Sequence, residues 1–145
     1  MYLEGQTLQC GVFARKNASR SLSRNSREPI IEVAAGHQLV APTLVRSQTL
    51  SALYQAARRG EISAADGLER VTRINSLKVR FLGDKVLQRT AWRIADQLGW
   101  ETTYDAEFVA LTQLQADVFV TSDRELARAV SGLVKTTSID ALRKA

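Results

Sequence analysis

Two carboxylates eighteen positions apart carry the strongest chemical signal in this chain. They are Asp105 in Thr102-Thr103-Tyr104-Asp105-Ala106 and Asp123 in Val120-Thr121-Ser122-Asp123. Converging acids of this kind suit a hard divalent cation such as Mg²⁺, which takes oxygen ligands. Between them the residues read as a helix from Asp105 to Gln115, a tight link at Ala116-Asp117 and a strand from Val118 to Thr121. At about 1.5 Å per residue the helix climbs roughly 15 Å. About five extended residues return that distance at about 3.3 Å each. A strand running antiparallel to the helix therefore brings Asp123 back beside the helix start that holds Asp105. In open α/β sheets ligands bind at that carboxyl edge.

Each acid also has a purely structural reading. Asp105 can close a Thr102-x-x-Asp105 capping box, and Asp123 can cap a following helix from Arg124 to Val130. Glu107, two residues beyond Asp105, faces away on an ideal helix and reads as a surface residue. Thr121 and Ser122 read as turn formers, with hydroxyls able to bond a metal-bound water.

The elements that must position these acids fit one domain of 145 residues. At 45% apolar residues the composition is that of an ordinary globular protein. No stretch reaches the roughly 18 apolar residues of a membrane span, and the N-terminus shows no signal-peptide core, so a cytoplasmic protein without a membrane partner is expected. One cysteine, Cys10, excludes an internal disulfide and a thiolate cluster, and one histidine, His37, excludes a histidine-rich zinc site. Net charge is +5 and the isoelectric point is near 9.8, compatible with a polyanionic partner such as RNA. Residues 1–28 hold Arg15, Lys16, Arg20, Arg24 and Arg27 against Glu4 and Glu28, five cations less two acids, so +3 of the charge lies there.

The chain changes character near Gly36. Residues 1–36 are Ser-rich and aperiodic and predict little order beyond a short strand at Leu8–Ala14 and an apolar run of Ile30, Ile31 and Val33. Residues 37–145 predict the folded domain. Gln38–Ala41 reads as a strand, with Pro42 opening a helix in which Leu44, Val45, Leu50, Leu53, Tyr54 and Ala57 recur at helical spacing up to Gly60. Ser63 and Asp66 form a capping box for a helix over Ala64–Leu77, with Leu68, Val71 and Ile74 on one face. Lys78–Leu82 alternates like a strand, Asp84–Leu98 is helical and stops at Gly99, and Val134–Thr137 and Ile139–Arg143 add a last strand and helical turn. Gly83 and Gly99 read as turn and cap glycines. Strands alternating with helices predict an α/β sandwich around a mainly parallel sheet.

These segments resemble a known family. Val40-Ala41-Pro42-Thr43-Leu44-Val45-Arg46-Ser47-Gln48, Thr103-Tyr104-Asp105-Ala106-Glu107-Phe108-Val109-Ala110-Leu111 and Val118-Phe119-Val120-Thr121-Ser122-Asp123-Arg124-Glu125-Leu126 resemble the PIN-domain family, in its VapC branch of toxin–antitoxin ribonucleases. The resemblance covers about residues 37–140. It implies a PIN-like three-layer sandwich, a central mainly parallel sheet flanked by helices, and RNA cleavage with Mg²⁺ or Mn²⁺ held by three or four acids. It also implies a cognate antitoxin partner and is compatible with a homodimer. Asp105 and Asp123 match the third and fourth acids. The second falls on Gln48, and the nearest match to the first is Asn17 in Asn17-Ala18-Ser19. Arg46 and Arg124 are the candidates for holding RNA phosphates.

Two amides at acid positions remove about two negative charges, because an amide offers one neutral carbonyl oxygen where a carboxylate offers a charge and two. Feeble cleavage is expected on that ground. The alternative is a catalytically degenerate PIN domain kept as an antitoxin- or RNA-binding module, with an aliphatic groove between the first two helices as the receiving surface. A flavodoxin-like signalling domain is a third reading, which the two acids at the carboxyl edge permit.

Overall fold

A computed structural model of the chain describes residues 12–16 and 37–144. The architecture is mixed α/β. In chain order the elements are β1 (Val12–Lys16), β2 (His37–Pro42), α1 (Leu44–Arg58), α2 (Ala64–Ser76), β3 (Val79–Leu82), α3 (Lys85–Leu98), α4 (Tyr104–Gln115), β4 (Phe119–Val120), α5 (Arg124–Ala129), β5 (Thr136–Thr137) and α6 (Ile139–Lys144). The five strands form one sheet in the order β3-β2-β1-β4-β5.

The sheet departs from a mainly parallel one at its centre. β2 pairs parallel with β3, and β4 with β5, but β1 is antiparallel to both β2 and β4. Four strands thus point one way and β1 alone runs against them. The register sets Phe13 opposite Val40, and Arg15 and Lys16 opposite Gln38 and His37. Reversal matches apolar sequence with apolar and polar with polar, which a parallel β1 would mismatch. The first strand is described over Val12–Lys16, overlapping the expected Leu8–Ala14, of which residues 8–11 lie outside the described residues, as does the run Ile30-Ile31-Val33.

Local signals account for most helix ends. Ser63 accepts a hydrogen bond from the Asp66 N–H at 3.0 Å and caps α2. Asp84 accepts from the Leu87 N–H at 2.9 Å and caps α3. Gly99 closes α3 in the left-handed region at φ 66°, where a residue without Cβ is unstrained. Pro42 differs from expectation: it ends β2 as a buried residue, and α1 starts two residues later at Leu44.

The main core cluster is built around α4. In α4, Ala106, Phe108, Val109, Ala110, Leu111 and Thr112 are all buried, the pattern of a helix enclosed on every side. Against it α3 turns Leu87, Thr90, Ala91, Ile94 and Ala95. Phe119 of β4 stacks on Phe108 with ring centroids 6.3 Å apart. The expected inward face of α1 holds at Leu53 and at Leu44 and Val45, which pack against the core, but not at Leu50 and Tyr54. Thr49, Leu53 and Ala56 are buried, whereas Leu50 and Tyr54 are exposed. In α2 the expected Leu68 is exposed as well and Gly67 is buried. A Cβ on Gly67 would lie 3.5 Å from Ile62 and 3.8 Å from the Leu53 carbonyl, so α2 meets α1 through backbone at this point. No helix among the described residues is long and apolar enough to cross a membrane.

Candidate metal centre

Asp123 follows β4 at the carboxyl edge of the sheet, the edge shared by the ends of β2, β3 and β5. Its Oδ1 accepts hydrogen bonds from the N–H groups of Glu125 at 2.9 Å and Leu126 at 3.0 Å. Its own N–H donates to Thr121 Oγ1 at 3.1 Å. Asp123 is therefore the N-cap of α5, and buried Thr121 tightens the turn that presents it. These bonds fix the orientation of the carboxylate without removing its charge.

Asp105 is the second residue of α4 and is half-buried. The Thr102–Asp105 capping box is not formed. Thr103 is the N-cap, with φ −95° and ψ 0°, and its side chain makes no capping bond. That helical backbone differs from the extended conformation a capping hydroxyl requires. Burial pushes the Asp105 carboxyl above its ordinary pKa of 3.8, and the negative charge of Asp123 pushes it further. The two acids therefore sit within electrostatic reach of each other. Glu107 is half-buried instead of lying on the surface, and burial raises its carboxyl above 4.5. Because α4 is enclosed on most of its circumference, spacing on an ideal helix was a poor guide to its exposure.

The remaining candidates lie on other elements or next to Asp123 in sequence. Gln48 is half-buried in the second turn of α1, and no hydrogen bond or ion pair among the described residues joins it to either acid. The exposed Arg46 places its guanidinium over the Phe81 ring at 4.3 Å from the centroid. Arg124 is exposed at the first position of α5. Asn17 lies outside the described residues, as does most of the 1–36 segment. Lys16 before it pairs with His37, at the amino edge and thus at the opposite end of the sheet from Asp123.

A divalent cation fits the pair on chemical grounds. Two like charges, one of them half-buried, repel each other, and a cation between them removes that penalty. Mg²⁺ is commonly held by one or two carboxylates together with waters and substrate phosphates. No group of three or more His, Cys, Asp or Glu residues placed to hold a metal occurs among the described residues. Asp105 and Asp123 remain the candidate carboxylate donors at this edge.

One neighbouring feature escaped the sequence reading. A cavity of about 440 Å³ opens between α3 and the start of α4, lined by Trp92, Asp96, Trp100, Glu101 and Tyr104 among others. Its sequence signal is the clustering of both tryptophans of the chain within nine residues, close to a tyrosine.

No family model matches the chain, and no curated protein matches it. Among solved structures it is similar to the crystal structure of PAE2754 from Pyrobaculum aerophilum. The TM-score is 0.58 with 26% identity, over 71% of this chain and 73% of that one. This likeness supports the mixed α/β fold.

Proposed function

We propose that the chain is a metal-dependent, RNA-cleaving nuclease of the PIN type, acting in the cytoplasm as the toxin of a VapC-like toxin–antitoxin pair. A PIN-like three-layer sandwich is the matching fold reading. The observation that carries it is the placement of Asp105 in the first turn of α4 and of Asp123 just after β4, where burial first and the charge of Asp123 second raise the Asp105 pKa. Asp105 and Asp123 would hold Mg²⁺ or Mn²⁺. When bound, such an ion lowers the pKa of a water and neutralises charge on the phosphodiester. The Thr121–Asp123 turn orients one ligand. Arg124 offers an exposed cation beside it, and Arg46 offers another already steadied by Phe81. Such contacts hold RNA phosphates in a salt-dependent way with little choice of sequence. Gln48 supplies a neutral carbonyl where the family has an acid, which keeps activity low.

Cleavage of a labelled RNA with millimolar Mg²⁺ tests this reading. Feeble cleavage is expected, lost in Asp105→Asn and raised in Gln48→Glu. Vigorous cleavage that Asp105→Asn leaves unchanged would rule the site out.

A second reading has its own observation. No group of three or more acids able to hold a metal occurs among the described residues, while Leu50, Tyr54 and Leu68 are 54%, 63% and 67% exposed on the packed pair α1 and α2. A degenerate domain binding an amphipathic helix of an antitoxin through that face fits these facts. It prevails if neither the parent nor Gln48→Glu cuts RNA and an antitoxin helix binds tightly.

A further inference from the structure

We infer that the cavity between α3 and the start of α4 is a binding site for an organic cation, an alkylammonium or guanidinium group. Three aromatic side chains line it: Trp92, Trp100 and Tyr104. Trp92 and Tyr104 are 70% and 58% exposed, unusual for large rings with no partner ring among the described residues. The only charged residues in the lining are Asp96 and Glu101. Neither carboxylate has an ion-pair partner among the described residues.

The charge pattern selects the ligand. The protein carries a net charge of +5, yet this concavity presents two carboxylates and no lysine or arginine. A phosphate or carboxylate ligand would meet repulsion there. An organic cation gains from both features, since the faces of aromatic rings attract cations, most strongly in tryptophan. The volume of about 440 Å³ is within the range of small-molecule sites, roughly 300–1,000 Å³. The site shares α4 with the acid pair but none of its residues, and it stands whether or not the chain cleaves RNA.

The chain carries its own reporter, because Trp92 and Trp100 are its only tryptophans and both line the cavity. Titrating the full chain with choline should change tryptophan emission saturably, on the order of millimolar. The uncharged isostere 3,3-dimethyl-1-butanol should bind several-fold more weakly. The exposed double variant Asp96→Asn/Glu101→Gln should weaken choline roughly three- to tenfold, and Trp92→Ala by a similar factor. Circular dichroism checks that both variants are folded. Spermidine binding more tightly than Nα-acetyl-arginine methylamide identifies a free polyamine as the source of the cation, and the reverse order identifies a protein side chain. Equal binding of choline and its isostere, unchanged affinity in the double variant, or saturation by adenosine but by no cation would overturn the inference.

Discussion

The segment from α4 through β4 to α5 and the helix pair α1–α2 are built to different standards. In the first, Ala106, Val109 and Ala110 have no exposure, Phe108, Leu111 and Phe119 have 1–2%, and the two phenylalanines stack. In the second, Gly67 is the only buried residue of α2, and three large apolar side chains face outward. Its ion pairs, Arg59–Glu61 and Arg73–Glu69, lie at the surface, where such pairs contribute little. The acids occupy the tightly packed segment. Holding two carboxylates close together costs stability, and dense packing of the helix and strand that carry them offsets that cost. The helix pair has no such burden and leaves Leu50, Tyr54 and Leu68 exposed.

Substitutions should separate the two regions sharply. Phe108→Ala is expected to destabilise the fold by about 3–5 kcal/mol, through lost burial and a cavity beside Phe119. Leu68→Ala should stay within about 0.5 kcal/mol. Chemical denaturation midpoints check both, and similar losses would erase the contrast. Next in size is Gly83→Ala, since a Cβ there would lie 2.6 Å from Thr43 Oγ1 and 3.2 Å from Thr43 Cγ2. A loss of about 1–3 kcal/mol is expected, recovered largely by adding Thr43→Ala. A smaller loss than at Gly83 concerns the α5 cap. Asp123→Ala removes the bonds to Glu125 and Leu126 and should cost about 1 kcal/mol, partly masked at neutral pH by relief of the repulsion on Asp105. Asp123→Asn keeps a capping oxygen and should retain most of the cap while relieving the same repulsion.

Sequence reading succeeded where structure is decided within a few residues. The caps at Ser63 and Asp123 and the stop at Gly99 depend on one side chain or one φ angle, and all three formed. The count of helix and strand lengths across a short link agrees with Asp123 acting electrostatically on Asp105. Non-local choices were not legible. Leu50 and Thr49 offer α1 two inward faces of similar spacing, and packing of the folded chain buries Thr49 and leaves Leu50 exposed. The direction of β1 depends on pairing Phe13 with Val40 across more than twenty residues. Gly83 looked like an ordinary turn residue because its close approach to Thr43 comes from the parallel pairing of β2 and β3. The aromatic cavity likewise requires a bend between α3 and α4 that no local motif specifies.

Stability against pH, with and without a divalent cation, tests the shared site of Asp105 and Asp123 most directly. The Asp105 pKa is raised above 3.8 in the folded protein by burial and by Asp123. Its protonated form therefore favours folding, and that stability is lost as pH rises through the folded value. Without metal, Asp105→Asn should melt higher than the parent at pH 7, with the gap closing as pH falls toward the ordinary aspartate value. Adding Mg²⁺ or Mn²⁺ should raise the melting temperature of the parent and leave Asp105→Asn nearly unchanged, because a ligand stabilises only the state that binds it. A variant that melts lower than the parent at pH 7, with both proteins responding equally to the cation, would contradict a charge-coupled metal centre at these two residues.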